Sequence, residues 1–239
     1  MTNQPVSRVL AIEAHPDDVE IQCAGTLAKF ARMGVSVSVA VATDGSAGHM
    51  LIPPKELAEI RHSEAKEAAQ CIGAELYWMG YVDEMLFDDA ATRLNFAEVI
   101  RKARPDLILT HPPDDYHPDH RMVSRLVFNA SFLSSLPNIP TESPFHPGVQ
   151  PLYYFDSAGS VGFQPTEYVD ITETFATKRE MLSRHKSQIK WLFDHDQVDM
   201  LASIEQSGKA RGAQCGVAMA EGFRPEFSWP RLRTYRVLP

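Results

Sequence analysis

Two segments of the chain concentrate side chains that can bind a metal ion and move protons. AHPDDVE carries His15, Asp17 and Asp18, and HPPDDYHPDH, residues 111 to 120, carries His117, Asp119 and His120. A hydrolytic zinc site takes three His, Asp or Glu ligands and keeps one position for water. His15 and Asp18 are three residues apart, as are His117 and His120, so each pair faces one side of a turn or of a first helical turn. The set offers two ligands from the first segment, one or two from the second, and spare carboxylates for proton transfer. Histidine with carboxylate suits Zn2+ and also accepts Fe2+, Co2+ or Mn2+. Taken singly, Asp17 and Asp18 also read as a helix N-cap or first-turn acids, and a lone His-Pro reads as a loop. The two segments together favour the metal.

Something must bring such distant segments together. RVLAIEA reads as a first strand, GTLAKFARMG as a helix closed by Gly34, and VSVSVAVAT as a second strand followed by the loop DGSAGHMLIPP. Pro54 opens a long helix that stops at Gly73. AELYWMG is a third strand, FAEVIRKARP a helix ended by Pro105, and DLILT a fourth strand. Strands alternating with helices predict an α/β fold, a parallel sheet with right-handed crossovers and helices on both faces. In a doubly wound sheet of order 3-2-1-4 the first and fourth strands are neighbours at the reversal point, where ligands bind. The two segments follow those two strands.

Residues 136 to 239 read as a cap-like elaboration on the core formed by residues 1 to 135, so that residues 1 to 239 make one domain. The stretch SSLPNIPTESPFHPGVQP holds five prolines and reads as an ordered excursion or a flexible loop. Short strands are expected at LYYF and EYVDI, and helices from Thr174 to about Phe193 and from Val198 to Arg211.

Composition narrows the function. With 239 residues, 44% hydrophobic, the chain can bury a sizeable core. The net charge of −8, without a basic run, argues against a nucleic-acid partner. The opening MTNQPVSRVLAIEAHPDD shows no secretory pattern, and no apolar run is long enough to span a bilayer, so a cytoplasmic protein is expected. Three widely spaced cysteines, Cys23, Cys71 and Cys215, fit a reducing compartment and buried packing, and exclude a thiolate metal site.

AHPDDVEIQCAGTLA, RHSEAKEAAQCIGAE, GYVDE and HPPDDYHPDHR resemble, in succession, the motifs of the LmbE-like or PIG-L family of zinc-dependent de-N-acetylases. The resemblance continues more loosely through VDITETFATKREMLSRHKSQ and AEGF. It implies a Rossmann-like three-layer sandwich with a mostly parallel sheet. It also implies Zn2+ on His15, Asp18 and His120, Asp17 as general base, and His117 as the group that stabilises the oxyanion or protonates the leaving amine. Asp119 would hold His117 in its tautomer, and Arg61, Asp83 and His185 would approach the substrate. Where many relatives read H-P-D-D-E, Val19 here precedes Glu20, for which a first-turn or supporting role is expected. Tyr116 and His49 receive no assigned role, and His111 is expected to shape its loop. The implied substrate is a small amide, an N-acetylated amino sugar, with an amide of a thiol conjugate or specialised metabolite as the alternative. A trimer or hexamer is implied. Two other classes stand beside this: a non-catalytic sugar-binding protein, and a Mg2+ site for phosphoryl transfer, which His15 and the H-P-D-H segment disfavour.

Overall fold

The first strand, β1 (Arg8–Glu13), sends its side chains alternately into two apolar clusters: Val9 and Ala11 into one, Leu10 and Ile12 into the other. A strand buried on both faces needs helices on both faces. The computed structural model, which describes residues 6–157 and 161–239, supplies them. The opening Met1–Pro5 of the segment read for a secretory pattern lies outside the described residues.

β1 is followed by α1 (Asp18–Gln22) and α2 (Ala24–Arg32), then β2 (Ser36–Thr43), α3 (Pro54–Gln70) and β3 (Glu75–Tyr81). The chain returns through α4 (Ala90–Ala103) to β4 (Leu107–Thr110), then through α5 (Pro118–Leu133) to β5 (Leu152–Phe155). It closes with β6 (Glu167–Asp170), α6 (Phe175–Leu182), α7 (Lys186–Asp196), α8 (Met200–Cys215) and β7 (Ala220–Pro225). The sheet order is β3-β2-β1-β4-β5-β7-β6, parallel from β3 to β5 and antiparallel where β7 joins β5 and β6. The expected 3-2-1-4 order is present, with β1 and β4 in register from Val9 against Leu107 to Ile12 against Thr110.

One cluster packs Leu27 and Phe30 of α2 against the sheet, and the other packs Phe96 and Ile100 of α4 with Val123, Leu126 and Val127 of α5. Three layers result. The sequence expectation needs correction in four places. The single helix expected from Gly25 to Gly34 is preceded by a separate α1, because Cys23 at φ −142 breaks the helical path. A helix, α5, follows the second motif, with Pro118 at its first position and His117 as its N-cap. The helix expected from Thr174 to Phe193 is two, α6 and α7, separated at residues 183–185. The last half is more than a cap: β5, β6 and β7 extend the same sheet.

The proline-rich stretch is the ordered alternative. Buried Arg101 holds it through its guanidinium, which donates to the carbonyls of Ser134, Leu136 and Ile139. Of the cysteines only Cys23 is buried; Cys71 is partly exposed and Cys215 exposed, so core packing does not explain those two. Among the described residues no helix is long and apolar enough to cross a membrane.

Candidate metal centre and active site

β1 and β4 end side by side, and the two motifs leave the sheet there. Buried His111, just past β4, ties the ends together: its Nε2 accepts the Ala14 N–H at 3.0 Å. The next residues of the first loop turn sharply, with Asp17 at φ 123, a left-handed conformation unusual for a side-chain-bearing residue. Strain of this kind collects at functional sites. The turn brings Asp18 back under His15, whose N–H donates to Asp18 Oδ2 at 2.8 Å.

His15, Asp18 and His120 then meet. His15 Nδ1 and His120 Nε2 are 3.3 Å apart, Asp18 Oδ2 is 3.4 Å from the former, and Asp18 Oδ1 is 3.3 Å from the latter. Ligands of a tetrahedral ion bound at about 2.0–2.1 Å lie roughly 3.3–3.4 Å from one another. The far nitrogens settle the tautomers. His120 Nδ1 lies 3.0 Å from Asp115 Oδ1, and His15 Nε2 lies 3.1 Å from Asp83 Oδ1 and 3.5 Å from Asp119 Oδ2. Carboxylates only accept, so both outer nitrogens carry protons, an assignment made from these partners. When neither ring carries a second proton, two imidazole lone pairs face each other beside a carboxylate, an arrangement that a cation between them satisfies. The donor set fits a single divalent ion.

Charge in this cluster follows the same logic. Burial works against the His120 imidazolium, but Asp18 and Asp115 outweigh it and hold its pKa at about 9. Burial likewise opposes a carboxylate at Asp18, yet His120 and His111 keep its pKa well below the usual range. His111 offers no second metal position, since its Nε2 lone pair is already occupied by the Ala14 N–H.

Asp17 lines the same cavity. Burial raises its pKa to about 6; the Arg61 guanidinium pulls the other way and the Asp18 charge adds to the rise. Arg61 Nη2 lies 3.3 Å from Asp17 Oδ2 and donates to the Pro16 carbonyl, while Nη1 donates to the Gly45 carbonyl. Gly45 has φ +63, and a Cβ there would collide with the Arg61 guanidinium. This is why the loop after β2 needs glycine at that position.

His117 is partly exposed at the mouth of the cavity. Its Nδ1 accepts the Asp119 N–H at 3.3 Å, which leaves the proton on Nε2, 3.3 Å from Glu84 Oε1. Burial, then the charges of His15 and His120, lower its pKa.

Several side chains lie elsewhere than the sequence reading places them. The Asp119 carboxylate turns to His15 and to the Glu84 N–H, and only its backbone meets His117. Asp83 Oδ1 lies 3.1 Å from His15 Nε2, and its Oδ2 accepts the Ala47 N–H. Both Nη atoms of Arg61 are engaged by protein oxygens. His185 is fully buried, with Nε2 3.3 Å from Glu20 Oε2, and presents no surface to the cavity. Those two form a buried pair behind the first motif. Tyr116 stands at the rim, 65% exposed. His49 accepts the N–H groups of Leu51 and Ile52 and packs its ring on Trp191. Sequence reasoning missed Asp115 and Glu84. The only signal for Asp115 is its place in the same acidic, histidine-rich segment, five residues before His120.

A doubly wound sheet with a histidine and carboxylate cluster at its reversal point defines an α/β protein of the Rossmann-like class whose clustered side chains could hold a metal ion. Residues 10–131 match the family model described as PIG-L, GlcNAc-PI de-N-acetylase. The chain belongs to that family. It is 33% identical over 199 residues to diacetylchitobiose deacetylase of Thermococcus kodakarensis, covering 78% of this chain and 73% of that one. Mycothiol S-conjugate amidase of Streptomyces coelicolor is 30% identical, covering 66% of this chain and 62% of its own. A 4-oxalmesaconate hydratase of Pseudomonas putida is 25% identical, covering 74% and 72%. Among solved structures, N,N'-diacetylchitobiose deacetylase of Pyrococcus horikoshii superposes with a TM-score of 0.81 at 28% identity, covering 92% of this chain and 84% of that one.

Proposed function

We propose that this protein is a zinc-dependent de-N-acetylase that hydrolyses the acetamide of a small, uncharged amino-sugar derivative. The pair of facing lone pairs on His15 and His120, closed by Asp18, carries the reading, because it calls for a cation at the point where two loops converge. A divalent ion held there polarises an amide carbonyl and lowers the pKa of water toward neutrality. Asp17 accepts the proton of the attacking water, and a pKa raised to about 6 suits a base working near neutral pH. His117 Nε2–H donates to the amide oxygen as it gains charge, and the proton taken up by Asp17 passes to the nitrogen as the C–N bond breaks. Acetate and a free amine leave. Asp83 and Asp119 fix the ring of His15, and Asp115 fixes that of His120.

The charge of the cavity favours a neutral substrate. Its volume is about 300 Å³, and among the described lining residues Arg61 is the only arginine or lysine, with both Nη atoms engaged by protein oxygens. Similarity to a diacetylchitobiose deacetylase supports an amino sugar, and similarity to a thiol-conjugate amidase supports the alternative amide. Self-assembly into a trimer or hexamer belongs to the same proposal.

The test is metal-reconstituted protein incubated with N-acetylglucosamine, diacetylchitobiose and a thiol-conjugate amide, with acetate and amine both measured. The reading expects them in equal amounts from at least one amide. Hydration of an unsaturated carboxylate, with no amide cleaved, would overturn it.

A further inference from the structure

The catalytic cavity does not end at the metal cluster. Ile21, Gln22, Tyr116, Leu192 and Met200 line it and also line a second cavity of about 530 Å³ that runs along α8. The two cavities adjoin through these five shared residues. The halves differ in chemistry. The inner half presents Asp17, Asp18, Asp83, Glu84 and the histidines. The outer half adds Val198, Ile204, Ala210 and three neutral polar side chains, Ser203, Gln206 and Ser207, and no charged residue among those described lines it. In a chain that is 23% charged, a charge-free wall beside an acidic one is a division of labour.

The floor is fixed. Met200 and Ile204 are 4% and 2% exposed, packed with Leu182, and the helix start is held by Asp199, whose carboxylate accepts the Ala202 N–H. Such a surface gains from covering apolar atoms and holds no charge to offset that of a phosphate or carboxylate stripped of water.

We propose that the outer half is a subsite for an uncharged alkyl or aryl group carried by the amino sugar, so that the substrate is an apolar glycoside or conjugate rather than a free or charged sugar. This rests on the de-N-acetylase reading for the identity of the inner group. The five residues that the outer half shares with the catalytic cavity assign it to substrate and not to a protein partner.

Two measurements separate the claims. Metal-loaded protein is titrated calorimetrically with hexyl and methyl glucosides, which hold no amide, and acetate release is followed with the hexyl and methyl glycosides of N-acetylglucosamine. Burying most of the added methylenes gives a hexyl-over-methyl preference of roughly tenfold or more in affinity and in 1/KM. Ala210→Trp, at an exposed helix position, fills the groove and cuts the preference to below threefold; Ser207→Trp checks the same outcome from the neighbouring turn. A hexyl preference absent from the wild type, or one that survives both substitutions, overturns the subsite. A preference that is lost in the variants, with no acetate from either glycoside, supports the subsite and overturns only the de-N-acetylase reading.

Discussion

Asp17 and Asp18 are adjacent in sequence yet do different work, because the φ of 123 at Asp17 turns the two carboxylates apart. Asp17→Asn keeps the shape but not the proton acceptor. The expected result is turnover reduced by about 10²–10⁴-fold with metal content unchanged, read by acetate release alongside elemental analysis. His120→Ala and Asp18→Ala lose the ion as well. Asp115→Ala leaves His120 Nδ1–H without its acceptor, and competition with a chelating dye is expected to show metal affinity lower by about 10–100-fold. An affinity equal to wild type would show that Asp115 does not orient the ring. Residue type, short spacing and a topology that joins the motifs made His15, Asp18, His117 and His120 legible as a pool of candidate ligands, and the family resemblance narrowed the pool to His15, Asp18 and His120. The supporting carboxylates were not. Which histidine Asp119 or Asp83 faces depends on how loops after three different strands settle against one another, and spacing along the chain carries no record of that.

At the scale of elements, the first motif is braced from the far end of the chain. Glu221 on β7 accepts from the N–H groups of Gly25 and Thr26 and from the Thr26 hydroxyl, capping the start of α2, and pairs with Lys178 at 2.6 Å. Both charges are buried. Glu221→Ala strands the Lys178 ammonium and uncaps the helix, with an expected loss of about 3–5 kcal/mol in urea unfolding. Lys178→Met together with Glu221→Leu is expected to recover much of that, because a buried pair replaced by apolar groups no longer leaves a lone charge. A Glu221→Ala protein as stable as wild type would contradict the bracing role. Strand β7 itself was hidden in sequence: AEGFRP has a glycine and a proline and no β-branched residue, and only pairing with β5 and β6 makes it a strand. By contrast β1, β2 and β4 are apolar runs buried on both faces, and such strands announce themselves. The split between α6 and α7 lay beyond pattern as well, since the break surrounds His185, whose burial against Glu20 is a tertiary contact.

For the whole molecule, the proposed metal site lies where β1 and β4 end side by side, so an ion bound there would couple to folding. An ion present at a hundred times its dissociation constant adds about 2.7 kcal/mol to the unfolding free energy, or roughly 5–10 °C in a chain of this size. Chelation should remove that increment from the wild type, and His120→Ala should show none to remove. The most direct test of the account is a titration of fully stripped protein with Zn2+, following acetate release from an N-acetylated amino sugar at each step. The account predicts no release at the start, a linear rise, and a plateau at one ion per chain. Full activity in the stripped protein, or a plateau requiring two ions per chain, would contradict it.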